Sequence, residues 1–185
     1  MKTLFLSAAV AIAATAASSP AGAGLVSIGN STARDCYEAA VARSADRNSF
    51  YHCNIALDQE GLSPQDRAAT LVNRGALYLR GHNYRSAGRD FDAALKSDAN
   101  NAEAWLNLGI VSLQQGGSTA AMPLIEKSLA LNTDRQALAY YSRAIANERM
   151  GQIRAAYDDL RRAHDLAPTW REPTEDLKRY QVRPR

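Results

Sequence analysis

Catalytic signatures are what this chain most lacks. It has no G-x-S-x-G elbow, no phosphate-binding P-loop and no dinucleotide fingerprint, so the local patterns of acyl, phosphoryl and hydride transfer are missing. Histidine is scarce. His52, His82 and His164 stand apart, none with a second His or Cys at metal-ligand spacing, and each reads as a surface or turn residue. Neither sign of charge dominates, at 22 basic against 19 acidic residues. The arginines Arg74, Arg80, Arg85, Arg89, Arg143, Arg149 and Arg154 are scattered, as on a solvated surface rather than a nucleic-acid patch. Only Arg161–Arg162 and the tail (Lys178, Arg179, Arg183, Arg185) are locally basic, a weak attraction for anionic lipid or an acidic partner. The carboxylate pairs Asp90-x-Asp92 and Asp158-Asp159 are expected on exposed helix faces, solvated or paired with Arg154 and Arg162. Together these absences predict a protein that is not an enzyme, with no cofactor and no metal.

Long apolar runs are missing as well, with one exception at the start. Lys2 precedes an Ala-rich apolar stretch from Leu4 to Ala17, and small residues follow. That order matches a secretory signal peptide over residues 1–23, with Ala21-Gly22-Ala23 as the cleavage site and a cut near Ala17 as the alternative. The run is shorter than the roughly 20 residues of a spanning helix. No cysteine follows it closely, which argues against a lipid anchor. The expected location is therefore periplasmic or secreted, with no stable membrane anchor. About 160 residues remain after cleavage, enough for one domain with a continuous core, preceded by a linker over 24–31.

What the chain does have is a repeat. Leu71-x-x-Arg74-Gly75-x-x-Tyr78 is followed by Ala87-x-x-x-Phe91-x-x-Ala94, and the skeleton returns at Trp105-x-x-Leu108-Gly109 and Ala121-x-x-x-Ile125. Gly75 to Gly109, Ala87 to Ala121 and Phe91 to Ile125 are each 34 residues. A period of that length marks stacked helix pairs. A glycine inside a helix costs roughly 1 kcal/mol against alanine, so two of them one period apart imply close backbone contacts that offset the cost. Large residues (Trp105, Tyr78, Phe91, Leu160) are expected to fill the grooves between pairs.

These residues resemble the tetratricopeptide repeat, whose pattern runs W-x2-L-G-x2-Y, A-x3-F and then Pro. Ala102 to Gly109 is similar to the first helix of an ideal copy. A weaker copy runs from Tyr140, Arg143 and Ala144 through Ala156, Leu160 and Ala163 to Pro168, one residue longer in its loop. A degenerate copy holds Cys53, Ala56 and Leu57. The resemblance covers residues 32–170 (32–62, 68–101, 102–136 and 137–170). It implies an all-α solenoid of about four helix pairs, followed by a capping helix and basic tail over 171–185.

Helix signals fit that plan. Thr32-x-x-Asp35 reads as a capping box opening a first helix to about Ser44, and the second is expected over Asn48–Glu60. Ser63-Pro64-Gln65-Asp66 is the clearest helix start. Helices are then expected to Arg80, over Tyr84–Ser97, Ala102–Gln115, Ser118–Leu131, Arg135–Met150 and Ile153–Ala167, with a polar cap at Thr174–Gln181. Pro123 is expected within the first turns of its helix. By the repeat register, Cys36 and Cys53 face each other across the first pair. That predicts a disulfide, and two buried thiols are the alternative.

The resemblance also implies where partners bind. In the family the first helix of each pair lines a concave face. The corresponding positions are Val72, Asn73, Ala76 and Leu79; then Leu106, Asn107, Ile110 and Leu113; then Tyr141, Ser142, Ile145 and Arg149. Asn73 and Asn107, one period apart, offer donor and acceptor to an extended main chain, and Ser142 breaks that ladder. A two-carboxylate clamp is poorly matched, since Val72 and Ala76 stand where it needs Lys and Asn. The groove instead reads as apolar, suited to an amphipathic segment of another protein or to self-association as a homo-oligomeric scaffold. Cover by the chain's own last helix is a further alternative. No nucleic-acid partner is expected.

Overall fold

The structure, a computed structural model, describes residues 31–180. The predicted signal peptide, most of the linker and the end of the basic tail (Val182, Arg183, Arg185) lie outside the described residues. Within them the chain forms α1 (Ser31–Val41), α2 (Arg47–Gln59), α3 (Pro64–Arg80), α4 (Tyr84–Ser97), α5 (Ala102–Gln114), α6 (Ser118–Ala130), α7 (Gln136–Arg149), α8 (Ile153–Leu166) and α9 (Arg171–Leu177). Every element among the described residues is helical. Consecutive helices pack as α1/α2, α3/α4, α5/α6 and α7/α8, and α9 closes against α8.

Short polar side chains set the helix starts. The Ser63 hydroxyl accepts from the Asp66 amide and donates to the Asp66 carboxylate. The side-chain oxygens of Asn83 and Asn101 accept from the amides of Ser86 and Ala104. Asp46 accepts from the Ser49 amide and hydroxyl. Each satisfies a first-turn N–H that has no partner inside its helix. Gly116 and Gly151 take positive φ (84° and 74°) where α5 and α7 turn into their partners, a region other residues enter at a cost.

Two expected starts differ. α1 begins at Ser31, so Thr32 lies inside the helix and is not its cap; its amide donates to Glu60 across the pair at 3.2 Å. Asp35 pairs with His52 at 3.6 Å. α9 forms one turn earlier than Thr174–Gln181. Pro173 sits third in the helix, where a missing N–H costs nothing because first-turn amides have no internal acceptor, so the helix runs through it. Pro123, by contrast, is six residues into α6 and inside the helix.

The two repeated glycines mark the closest approaches. A Cβ on Gly75 would sit 2.5 Å from Phe91 Cε1, and one on Gly109 would sit 2.7 Å from Ile125 Cγ1. Phe91 and Ile125 are fully buried, and they draw each pair together over its glycine. The apolar core is continuous along the stack. Val72, Phe91 and Val111 join the α3/α4 pair to α5. Leu106, Ile125, Ala139 and Ala146 join α5/α6 to α7. At the front, Cys36, Cys53 and Leu77 form a small cluster in which Cys36 and Cys53 are bonded, with Cα atoms 4.7 Å apart.

Candidate functional site

The residues expected to line the concave face separate into two groups. Val72, Ala76, Leu106 and Asn107 have no exposed surface, and Leu113 and Ser142 are also buried. Leu106 and Leu113 pack on Ala139 and Ala146 of α7. First helices lie close together on the inner side of a curved stack, so side chains pointing along it become core rather than surface. Leu79, Ile110, Tyr141 and Ile145 keep part of their surface, with Ile110 and Ile145 against the α5–α7 core. Arg149 is exposed and donates to the Leu113 carbonyl at 2.6 Å.

The two asparagines are both fully buried. Asn73 is engaged. Asn107 has neither its amide nitrogen nor its carbonyl oxygen hydrogen-bonded. A buried polar group in that state costs about 1–3 kcal/mol. One turn earlier on α5, Glu103 accepts a short hydrogen bond from the Thr133 hydroxyl, and its second oxygen is buried without a partner, as is Nη1 of Arg135. Burial raises the Glu103 carboxyl above its ordinary range, while burial pulls the Arg135 guanidinium down to about 10. The two shifts agree: desolvation outweighs their mutual attraction.

Tyr141 is held by the last helix. Its hydroxyl donates to Asp176 at 2.9 Å, and its ring meets Trp170 edge-on at 4.8 Å. Burial, and then the bond to Asp176, raises its phenol well above the ordinary value. Arg179 locks onto Glu148 through two bonds of 2.9 and 3.1 Å, and Lys178 is taken up by Glu175. Much of the basic tail's described charge is thus spent locally. α9 covers the fourth repeat at Tyr141, as the alternative of a terminal-helix cover anticipated.

The two helices of the second and of the fourth pair are joined by an arrangement that the sequence did not lead us to expect. Arg74 on α3 grips Asp90 on α4 with Nε and Nη2 (2.8 and 2.7 Å), and its Nη1 donates to Asn54 on α2 at 2.7 Å. Arg143 on α7 grips Asp159 on α8 in the same way (2.9 and 2.7 Å), and Asn147 adds a bond of 3.0 Å. Asp90 and Asp159 are buried, which corrects their expected place on exposed faces. Asp159 pairs with Arg143 and not with Arg162, whereas exposed Asp158 does pair with Arg154. The signal was present in the chain: Arg and Asp recur 16 residues apart at 74/90 and 143/159.

Among the described residues no helix is long and apolar enough to cross a membrane, and no group of three His, Cys, Asp or Glu side chains is placed to hold a metal ion.

No family model matches the chain. In sequence it is 33% identical over 86 residues to mouse Superkiller complex protein 3 and 30% over 90 residues to the human protein. Those matches cover 40% and 43% of this chain and about 6% of each relative's length. In structure it is similar to MamA from Desulfovibrio magneticus RS-1 (residues 41 to the end) with a TM-score of 0.63, and to the MamA RS-1 ArsTM double mutant with 0.62. Both are 20% identical, and both alignments cover 80% of this chain and 82% of the neighbour. At that identity the likeness speaks for the fold: an all-α solenoid of stacked helix pairs, of the tetratricopeptide-like kind.

Proposed function

We propose that this chain is a non-enzymatic protein-interaction module of the cell envelope whose concave face holds an extended segment of another protein. The carrying observation is the part-exposed apolar side chains Leu79, Ile110 and Ile145, one on each of α3, α5 and α7. A partner segment with an apolar face can remove such side chains from water. The similarity to a protein named as part of a complex supports an interaction role. Export is supported by the signal-peptide pattern of residues 1–23 and by the Cys36–Cys53 bond, since disulfides persist in oxidising compartments. In this reading the mature chain begins at Gly24 and its repeats occupy 32–170.

The test is crosslinking in the envelope fraction with the parent protein, Ile110→Arg and Asn107→Leu. Leu106 is too deeply buried to probe by charge. The expected result is a partner lost with Ile110→Arg and retained with Asn107→Leu, whose position has no exposed surface, while Asn107→Leu melts no lower than the parent, because an apolar isostere removes the unmet amide. A partner captured equally by all three would overturn the concave reading. Recovery of the chain alone, together with a concentration-dependent mass in light scattering, would favour the self-associating scaffold.

A further inference from the structure

A groove of about 680 Å³ lies between α6 of the third repeat and α7 and α8 of the fourth. The chain itself shows what such a place accommodates, because the repeat presents the same positions more than once. At the first junction, between α2 and α3, Phe50 stacks on Tyr78 with ring centroids 4.6 Å apart, and Asn54 completes the bonds of Arg74. The same register, aligning Cys53 with Ile125 and Arg74 with Arg143, puts Met122 in the place of Phe50, Asn147 in that of Tyr78 and Glu126 in that of Asn54. Met122, Asn147 and Glu126 all line the groove. Two rings are replaced by a flexible thioether and an amide, so a space filled at one junction is left open at the other. At the middle junction the equivalents are Gly88 and Ser112, and there Val111 closes to 3.7 Å of where a Gly88 Cβ would be.

The lining is also charged against the trend of the chain. The sequence has a net charge of +3, yet Glu126, Asp158 and Asp159 line the groove against one cation, Arg143. Asp159 is consumed by Arg143. Asp158 has only an exposed partner, Arg154, at 3.2 Å, an interaction that a competing cation can replace at little cost. The apolar lining is Met122, Pro123, Met150 and Ala155. Methionine suits such a surface because its unbranched, polarizable side chain adapts to a ring and gains sulfur–aromatic contact.

We infer that this groove is a second docking site, separate from the concave face, for a partner segment that inserts one aromatic side chain flanked by Lys or Arg. The ring occupies the volume that Phe50 and Tyr78 fill at the first junction, and the cation meets Glu126 and Asp158.

The sequence supplies its own reporter. It has three methionines, Met1, Met122 and Met150, so two methyl-labelled residues of the repeat region both sit in the groove. The probe is a synthetic amphipathic helical peptide with one Phe between two Lys residues, each a turn away. Its controls carry Ala for Phe or Glu for Lys. The expected result is saturable movement of both methyl NMR signals with the Phe/Lys peptide, and at least tenfold weaker binding for either control. Glu126→Lys with Asp158→Lys should weaken the Phe/Lys peptide similarly, while Ile110→Arg on the concave face should leave its affinity unchanged. Met122→Phe with Asn147→Tyr rebuilds the first junction's ring pair and should abolish binding, read at Met150. No methyl movement up to about 1 mM peptide, where binding free energy would be only about 4 kcal/mol, would overturn the proposal. So would equal response to the Ala control, or loss of response in Ile110→Arg. Should the filled variant not fold, the charge-reversed protein still decides the matter.

Discussion

Replacing Gly75 by alanine sets two physical effects directly against each other. On helix propensity alone the change should stabilise α3 by roughly 1 kcal/mol. The new methyl, however, would lie 2.5 Å from Phe91 Cε1 and 2.9 Å from Cδ1 and Cζ. Phe91 is fully buried, so its ring cannot withdraw without moving α4. Overpacking costs typically about 1–3 kcal/mol, and a 2.5 Å contact with a ring that cannot retreat belongs in the upper half of that range, about 2–3 kcal/mol, leaving a net loss of about 1–2 kcal/mol. In a domain of this size that lowers the melting temperature by about 2–8 °C. Gly88 is the control. It also lies within a helix, but its added Cβ would meet only Val111 Cγ1 at 3.7 Å, an ordinary contact, so Gly88→Ala should raise stability by about 0.5–1 kcal/mol. Thermal and urea melts followed by circular dichroism at the helical band measure both. Phe91→Leu in the Gly75→Ala background should recover part of the loss, giving a coupling of about 1 kcal/mol between the sites. A Gly75→Ala protein as stable as the parent, or one in which Phe91→Leu is merely additive, would refute the claim that this glycine is present for helix contact.

Three further outcomes follow from the structure. Asp90→Ala leaves the Arg74 guanidinium without its partner in a buried setting and should cost about 3 kcal/mol, while Asp158→Ala, on the same kind of helix but exposed, should change urea stability by less than about 0.5 kcal/mol. The Ser49 amide, then the Ser44 hydroxyl, hold the Asp46 carboxyl down at about 2 against an ordinary 3.8. A depressed carboxyl pKa contributes stability above the ordinary value and loses it as pH falls through the folded one. Melting temperature should therefore decline between about pH 4 and pH 2 in part through Asp46, and Asp46→Asn should flatten that part of the decline. Reducing the Cys36–Cys53 bond, which spans 17 residues, should cost about 3 kcal/mol by loop-closure entropy, with the mature protein showing two alkylatable thiols only after reductant.

The helix pairs were readable because one signal, the glycine and its large partner sixteen residues on, recurs at Gly75/Phe91 and Gly109/Ile125, where contact between helices leaves little choice of residue. The boundary at Ser63 followed from cap chemistry that acts within four residues, and Asn83 and Asn101 cap their helices by the same chemistry. The concave surface was less readable. Val72 and Leu106 sit at positions the family pattern assigns to the groove, but whether such a side chain faces solvent or the next first helix depends on the curvature of the stack, a property of several repeats at once. Asp90 and Asp159 were misplaced for a related reason. An Asp on a helix that is otherwise polar reads as exposed, and only the arrival of an Arg from the preceding helix turns it into a buried pair.

The clamps also divide the array unevenly. Arg74 and Arg80 reach back from the second repeat to Asn54 and to the Ala40 carbonyl of the first, and Arg149 reaches back from the fourth to the Leu113 carbonyl of the third. In the third repeat the same places hold Leu108 and Gln114, and Gly88 stands at the seam before it. The junction between the second and third repeats is thus held by apolar packing through Phe91 and Val111, where its two neighbours add guanidinium hydrogen bonds, so the size of those two side chains is what sets the angle between the halves of the array.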